Sequence, residues 1–374
     1  MSGESEILIV GGGPAGTSAG IRAAQRGMAP VVFEPRDVPI DKACGEGLMP
    51  AALLALEELG VHDLEGQRFR GIRYRDALDE SMAAIGEFRF GHGLGVRRKE
   101  LHRSLAERAR DVGVEWVQHR VESVAVSDDH VEVDGRRGDY LIVADGLNSS
   151  LRDRLGLEAS VHGPRRYGVR RHFETSPWTS YVEVHWSDVG EAYVTPVGPN
   201  LVGVAILSEG GGRFDELIGA FPTLQRRIGL AGVASTDRGA GPFLQRASSV
   251  VDGRALLVGD AAGYVDALTG EGVALAVHTA KAAVDAIASG APESYHREWR
   301  RITRAYRWMT RLLVELASHR AAHRPLIWFL KMFPKVFDES LALLGGRPPR
   351  SEASVSTRQS SGFVADTPRV SEGR

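Results

Sequence analysis

Cysteine occurs once in the 374 residues, at Cys44, so an internal disulfide is impossible and small stapled scaffolds are excluded. No apolar run reaches the ~18 residues of a membrane-spanning helix. The opening Met-Ser-Gly-Glu-Ser-Glu is acidic, and only the apolar residues 7–10 precede a glycine run, so no secretory leader is expected. A net charge of −2, from 46 Lys and Arg against 48 Asp and Glu, speaks against nucleic-acid binding. A cytoplasmic globular chain remains, long enough for two domains at ~100–200 residues each. Glycine is the residue in excess: the chain has 44, where ~7% is typical, and each marks a candidate turn or close backbone approach.

The hydrophobic pattern predicts strand, turn, helix and strand over residues 6–10, 11–16, 17–26 and 30–34, a βαβ unit. A second alternation follows, with a helix over 98–111, strands over 115–118, 121–126 and 130–133, and an apolar strand over 140–144. Residues 44–95 between them read as irregular. From 167 to 207 the texture changes to alternating strands, as in Tyr181-Val-Glu-Val-His-Trp186 and Glu191-Ala-Tyr-Val-Thr-Pro196, which fits a half-buried antiparallel sheet. An apolar strand over 254–258 and a small-residue helix over 272–288 return the chain to its first domain. Helix follows over 294–344, with breaks expected at Pro325 and Pro334.

Gly11-Gly-Gly-Pro-Ala-Gly16 carries G-x-G-x-x-G at Gly11, Gly13 and Gly16, with Pro14 and Ala15 inside it, after a predicted strand and opening a predicted helix. Such glycines serve a tight turn, backbone approach to a pyrophosphate, and close helix–strand contact. The pyrophosphate would rest on the helix N-terminus, where unpaired N–H groups favour an anion. Glu34 ends the second predicted strand, where a carboxylate can accept from both ribose hydroxyls. This spacing fits a dinucleotide without choosing between FAD and NAD.

Leu141-Ile-Val-Ala-Asp-Gly-Leu-Asn-Ser149 and Leu256-Leu-Val-Gly-Asp-Ala-Ala-Gly263, the latter followed by Leu268-Thr-Gly-Glu-Gly272, make that choice. With the glycine fingerprint, and in this order, they resemble the FAD-containing family of p-hydroxybenzoate hydroxylase, the geranylgeranyl reductases and the flavin-dependent halogenases, over residues 5–290. The resemblance implies an α/β fold with a Rossmann-type FAD-binding domain assembled from residues 1–70, 98–160 and 245–290. An inserted antiparallel β-sheet substrate domain would take 71–97 and 161–244, C-terminal helices 291–346, and a tail expected to be disordered 347–374. It further implies that Asp260 contacts the ribityl chain and that the backbone of Gly272, Val273 and Ala274 approaches the isoalloxazine. Asp145 and Gly146 would lie beside the flavin pyrophosphate and the path of an NADH or NADPH donor. Arg98, in Val96-Arg-Arg-Lys-Glu-Leu101, matches the family's R-x-x-L helix opening and can fork onto phosphate or ribityl oxygens, with Arg97 its rival. Val121 is assigned to the cofactor on the same basis. Ile40-Asp-Lys-Ala-Cys-Gly-Glu-Gly-Leu-Met-Pro50 resembles the loop that passes beside the flavin in the geranylgeranyl-reductase branch, which brings Lys42, Cys44, Gly45 and Glu46 to the cofactor.

A second dinucleotide fingerprint is missing, since Gly210-Gly-Gly-Arg213 leads into a polar helix; members of the resembled family let the nicotinamide visit transiently. Trp178 and Trp186 do not form the halogenases' Trp-x-Trp segment, and Thr195-Pro-Val-Gly198 departs from the turn of the geranylgeranyl reductases. Tyr193, Thr195, Val204 and Ile206 are expected to face a mainly apolar pocket for a lipophilic small molecule. The resulting expectation is an FAD-dependent monooxygenase of secondary metabolism. It would use NADH or NADPH and O₂ on a hydrophobic aromatic, quinonoid or prenylated substrate, with Cys44, Glu46, His185 and Tyr193 as candidate catalytic groups and no metal. The alternatives are an ene reductase of the geranylgeranyl-reductase type and a non-catalytic electron carrier.

Residues 297–335 hold ten Lys and Arg against Glu298 and Glu315. Trp299, Ile302, Tyr306, Met309, Leu313 and Leu316 recur at helical spacing beside a stripe of Arg300, Arg304, Arg307 and Arg311. Such a helix covers the flavin domain with its basic side in water, or contacts an anionic membrane peripherally with the help of Trp328, Phe329 and Phe333.

Overall fold

The computed structural model describes residues 5–161 and 165–344. The chain opens with β1 (Glu6–Val10), α1 (Pro14–Gln25) and β2 (Ala29–Phe33), and runs on to β3 (Gly71–Asp76), β4 (Ala83–Glu87), α2 (Arg98–Asp111), β5 (Glu115–Val117) and β6 (Tyr140–Val143). Then come β7 (Arg166–Glu174), β8 (Val182–Ser187), β9 (Gly190–Gly198), β10 (Leu201–Glu209), β11 (Ala255–Leu257), α3 (Gly272–Ala288), α4 (Ser294–Ser318), α5 (His323–Met332) and α6 (Pro334–Leu344).

In the first lobe β11, β6, β1, β2 and β5 lie side by side and parallel, with residues 251–252 pairing antiparallel at one edge. Residues 7–10 and 141–143 are all buried, as a sheet covered on both faces requires. The chain leaves β1 toward β2 on one side and returns through β6 on the other, so the crevice beyond the carboxyl ends of β1 and β6 is a topological switch point. Helix α1 packs on α2 and α3, and a meander over 124–138 meets the sheet, where Gly138 opposes Leu8.

The second lobe is one large sheet in the order 232–233, β7, β10, β9, β8, β3, β4, with 238–240 beside β7. Its ladders are antiparallel except β8 on β3, which is parallel. This corrects the wholly antiparallel reading: β3 and β4 arrive from earlier in the chain and dock on the edge of a later meander. It also corrects the irregular reading of 44–95. That stretch holds β3, β4, a helix over Pro50–Glu58 and a small sheet of Gly47–Leu48, Gln67–Phe69 and Gly93–Gly95, elements too short or glycine-broken to carry a period.

Further corrections have local causes. The strand expected over 121–126 begins at Val124, because the Asp134 carboxylate accepts from the N–H groups of Glu122 and Ser123 and removes them from any ladder. The helical break falls at residues 319–322, and Pro325 sits in the first turn of α5, where a missing N–H is no loss. The tail over 347–374 lies outside the described residues, among which no helix is long and apolar enough to cross a membrane.

Helices α4 to α6 close the molecule over the second lobe. The Tyr295 hydroxyl donates to Leu257 O at 2.8 Å and the Tyr306 hydroxyl to Asp266 O at 2.9 Å, tying α4 to β11 and to the loop before α3. Phe337 of α6 packs on Tyr74 with ring centroids 4.7 Å apart, in a cluster with Trp186, Val184, Ile327 and Leu330. Phe337→Ala is expected to lower stability by about 3–5 kcal/mol, read as a lowered urea midpoint. An unchanged midpoint would show that α6 is not packed as described.

Candidate functional site

A single cavity of about 600 Å³ begins at the carboxyl ends of β1 and β6 and extends under α4 and α6, where Leu313 and Leu341 line it. Its two ends differ in chemistry.

The first end is glycine and charge. Gly11 has φ +107°, and a Cβ there would lie 2.4 Å from Ala144 O; a Cβ on Gly16 would lie 1.8 Å from Gly11 O. These two glycines let turn, helix and β6 touch, while Gly13 faces open space at the start of α1, whose first turn has no acidic residue and no side-chain cap. The exposed amides are an anion site. Glu34 is buried and accepts from Gly12 N–H at 2.9 Å and from Arg36 through Nε at 2.7 Å and Nη2 at 3.0 Å; the guanidinium and the amides hold its carboxyl below the usual range against burial.

Arg98 settles its rivalry with Arg97. Both keep a buried nitrogen without a hydrogen bond among the described residues, Nε of Arg97 and Nη1 of Arg98, but Arg98, 4% exposed and in no ion pair there, lines the cavity and Arg97 does not. With Asp41 and Glu46 acting on it only at a distance, a buried guanidinium whose Nη1 is unbonded can donate a charge-assisted hydrogen bond to an anion. Asp145 also lines the cavity with Oδ1 unpaired, and burial pushes its carboxyl up. Lys42 Nζ lies 3.2 Å from Asp260 Oδ2, bringing those two predicted residues together. The uncapped helix, the glycine cradle and the orphaned Arg98 are the donor set that a flavin dinucleotide's phosphates need, so the residues present fit FAD. Pro14, Ala15, Gly45, Val121, Gly146, Gly272 and Val273 line the same cavity; Ala274 does not, being buried in the core of α3.

The loop 42–47 is held by Glu46, whose φ is +60°. Its Oε1 accepts from Arg98 N–H at 2.8 Å, and its Oε2 lies 2.5 Å from His172 Nε2. Arg170 Nη1, which can only donate, lies 3.0 Å from His172 Nδ1, so Nε2 carries the hydrogen that Glu46 accepts. The Glu46 amide reaches back to Cys44 Sγ at 3.3 Å, and Cys44 lines the cavity with its thiol pushed up by burial and by the Glu46 charge. Arg170 and His172 were missed in the sequence. Their signal was an alternating polar set, Arg166, Arg170 and His172, on one face of β7.

The second end is apolar, lined by Phe69, Ile72, Tyr74, Val182, Val184 and Leu268. Tyr193 and Thr195 line it as expected positions; the Tyr193 hydroxyl donates to Leu268 O at 3.0 Å and Thr195 Oγ1 to Gly45 O at 2.7 Å. Val204 and Ile206 do not. The register pairs Tyr193 with Ala205, so Ala205 and Leu207 face the cavity, while Val204 and Ile206 join the core on the far face of the sheet. His185 is corrected for the same reason. It alternates with the cavity-lining Val184, points to the opposite face, and lies 3.2 Å from a Glu183 carboxylate shared with Arg73, Arg75 and Trp178.

The FAD binding domain family matches residues 4–197. The menaquinone reductase of Mycolicibacterium smegmatis is 30% identical over 80% of each chain. The digeranylgeranylglycerophospholipid reductase of Methanosarcina acetivorans is 26% identical over 80% of this chain and 81% of that one. Among solved structures, the p-nitrophenol 4-monooxygenase of Pseudomonas putida superposes with a TM-score of 0.77 at 20% identity, over 92% of this chain and 99% of that one.

Arg98→Met is expected to weaken FAD binding by about tenfold to a hundredfold, the worth of a charge-assisted hydrogen bond, in a flavin fluorescence titration, while Arg97→Met leaves it unchanged. Equal effects of the two would remove Arg98 from the site. Glu271, at the start of α3, is buried with Oε1 unpaired, and burial raises its carboxyl to about 8. The folded state therefore holds a proton that the unfolded chain releases above its ordinary value, and this stability is lost as pH rises from about 4.5 to about 8. Glu271→Gln should flatten that loss, a few kcal/mol at ~1.4 kcal/mol per unit, in urea titrations across the range; an unaltered slope would disprove it.

Proposed function

The chain belongs to the FAD binding domain family and is an FAD-dependent oxidoreductase; from that premise we propose that it saturates a carbon–carbon double bond in the isoprenoid part of a lipophilic molecule, with NADH or NADPH as electron donor. The observation that carries this reading is the cavity's second end, an apolar arm running from the cofactor wall to Leu313 and Leu341. An arm of that kind accommodates a hydrocarbon chain and excludes water. A bound FAD would supply hydride-transfer chemistry between a nicotinamide and the alkene.

The protein's own part is to orient and to protonate. Met49, Phe69 and Val184 wall the alkene from solvent. Cys44 faces the cavity with a thiol that stays protonated at neutral pH, and is the group we assign to hold the proton for the second alkene carbon. Lys42 and Asp260 fix the loop that presents it.

Oxygen transfer to a phenolic or quinonoid ring, placed first from the motifs, becomes the second reading. Such a reaction calls for a base near the ring, yet His185 lies outside the cavity, the Glu46 carboxylate is engaged by Arg98 and His172, and the cavity-lining Tyr193 keeps its proton, its hydroxyl pushed up by burial and donating to Leu268 O.

One experiment separates the two. Purified holoprotein with NADPH or NADH and a polyprenylated quinone or lipid is expected to yield a product two hydrogens heavier, with turnover maintained under strict anaerobiosis. Incorporation of ¹⁸O from labelled O₂, with no anaerobic turnover, would overturn the reductase reading. Cys44→Ala is expected to keep FAD and to slow turnover about a hundredfold.

A further inference from the structure

The outer faces of the C-terminal helices carry a dense run of exposed large apolar side chains. Trp308 and Leu312 lie one turn apart on α4, Trp328, Phe329 and Met332 on α5, and Phe333 just beyond, each at least 42% exposed. The rings of Phe329 and Phe333 are 5.0 Å apart. Arg304, Arg311, Lys331 and Lys335 are exposed among them, and Glu315 is the one acid between residues 304 and 335. Positive charge is crowded here: burial, with Arg246, Arg311 and Arg300 close by, lowers Arg307 to about 10.

The inner faces of the same helices are core. Val314, Ile327, Leu330, Phe337 and Leu341 pack with Phe69 and Val184, and Leu313 and Leu341 line the apolar end of the cavity. A single layer of helices thus separates that end from the exposed aromatic surface.

Two occupants compete for this surface. A second copy of the chain, docked isologously, would bring these cations against their own images, which is repulsive. An anionic bilayer suits both features, because indole and phenyl groups partition into the headgroup boundary while lysine and arginine meet lipid phosphates. We propose that the outer face of α4, α5 and the start of α6 docks on the surface of an anionic lipid bilayer. The proposal goes beyond the reading of the reaction and does not rest on it, because docking is measured without turnover.

The test is flotation of the holoprotein with phosphatidylcholine vesicles, with and without phosphatidylglycerol. Binding is expected only with phosphatidylglycerol, to fall as salt is raised, and to quench tryptophan emission by brominated lipid. Arg304→Glu with Arg311→Glu should lower the partition coefficient at least about tenfold, since each surface cation contributes about 1 kcal/mol. Trp328→Ser with Phe329→Ser should abolish the bromolipid quenching of the remaining Trp308. Retained flavin absorbance certifies folding of each variant, and Lys331→Glu with Lys335→Glu replaces one that loses it. Absence of flotation with anionic vesicles, variants that bind as the wild type, or a dimer in light scattering that Trp328→Ser with Phe329→Ser dissolves, would each overturn the proposal.

Discussion

The arrangement of the site depends on one carboxylate. Glu46 sits in a left-handed backbone conformation, fully enclosed, and accepts from the first turn of α2 and from His172 of β7. Its own carbonyl accepts from Val96 N–H at 2.8 Å. Loop, α2 and the sheet of the second lobe therefore meet at one side chain, which sets where Cys44 and Arg98 stand relative to each other. The burial of Glu46 is tolerable because each carboxylate oxygen has a donor, Arg98 N–H on Oε1 and His172 Nε2 on Oε2, with Arg170 Nη2 3.9 Å from Oε1.

Around that knot the cavity divides into a wall that wants an anion and an arm that wants hydrocarbon. The wall leaves donors unpaired at Arg98 and at the start of α1, and the arm leaves hardly any. A buried trio, Arg166 with Glu191 and Asp266, joins the sheet to the loop before α3, with Arg166 Nη2 2.6 Å from Glu191 Oε2 and Nε 2.9 Å from Asp266 Oδ2. The loop before α3 is thus held by the second lobe and by Tyr306 of α4.

The glycine turn was legible in the sequence because close backbone approach demands glycine at fixed offsets; Gly11 and Gly16 make that approach, and Gly13 opens the start of α1. Helices α2 and α3 were legible to the residue because their apolar periods end at clear boundaries. The substrate wall was not. A strand shows its alternation in the sequence but not which of its two faces meets the cavity, and that parity error put Val204, Ile206 and His185 on the wrong side. Arg170 and His172 were hidden for a different reason: their importance lies in reaching Glu46, well over a hundred residues away along the chain.

The parallel pairing of β3 with β8 reaches beyond the site. Val182 is in register with Ile72, a partner made about 110 residues earlier. Long loops close slowly and only after their ends exist. During synthesis β3 and β4 leave the ribosome as a hairpin whose β3 edge, Gly71-Ile-Arg-Tyr-Arg-Asp76, is unpaired, and more than a quarter of the chain follows before β8 covers it. The second lobe therefore cannot close its sheet until β8 has been made, and a chain interrupted before that point exposes a strand edge open to pairing with another chain.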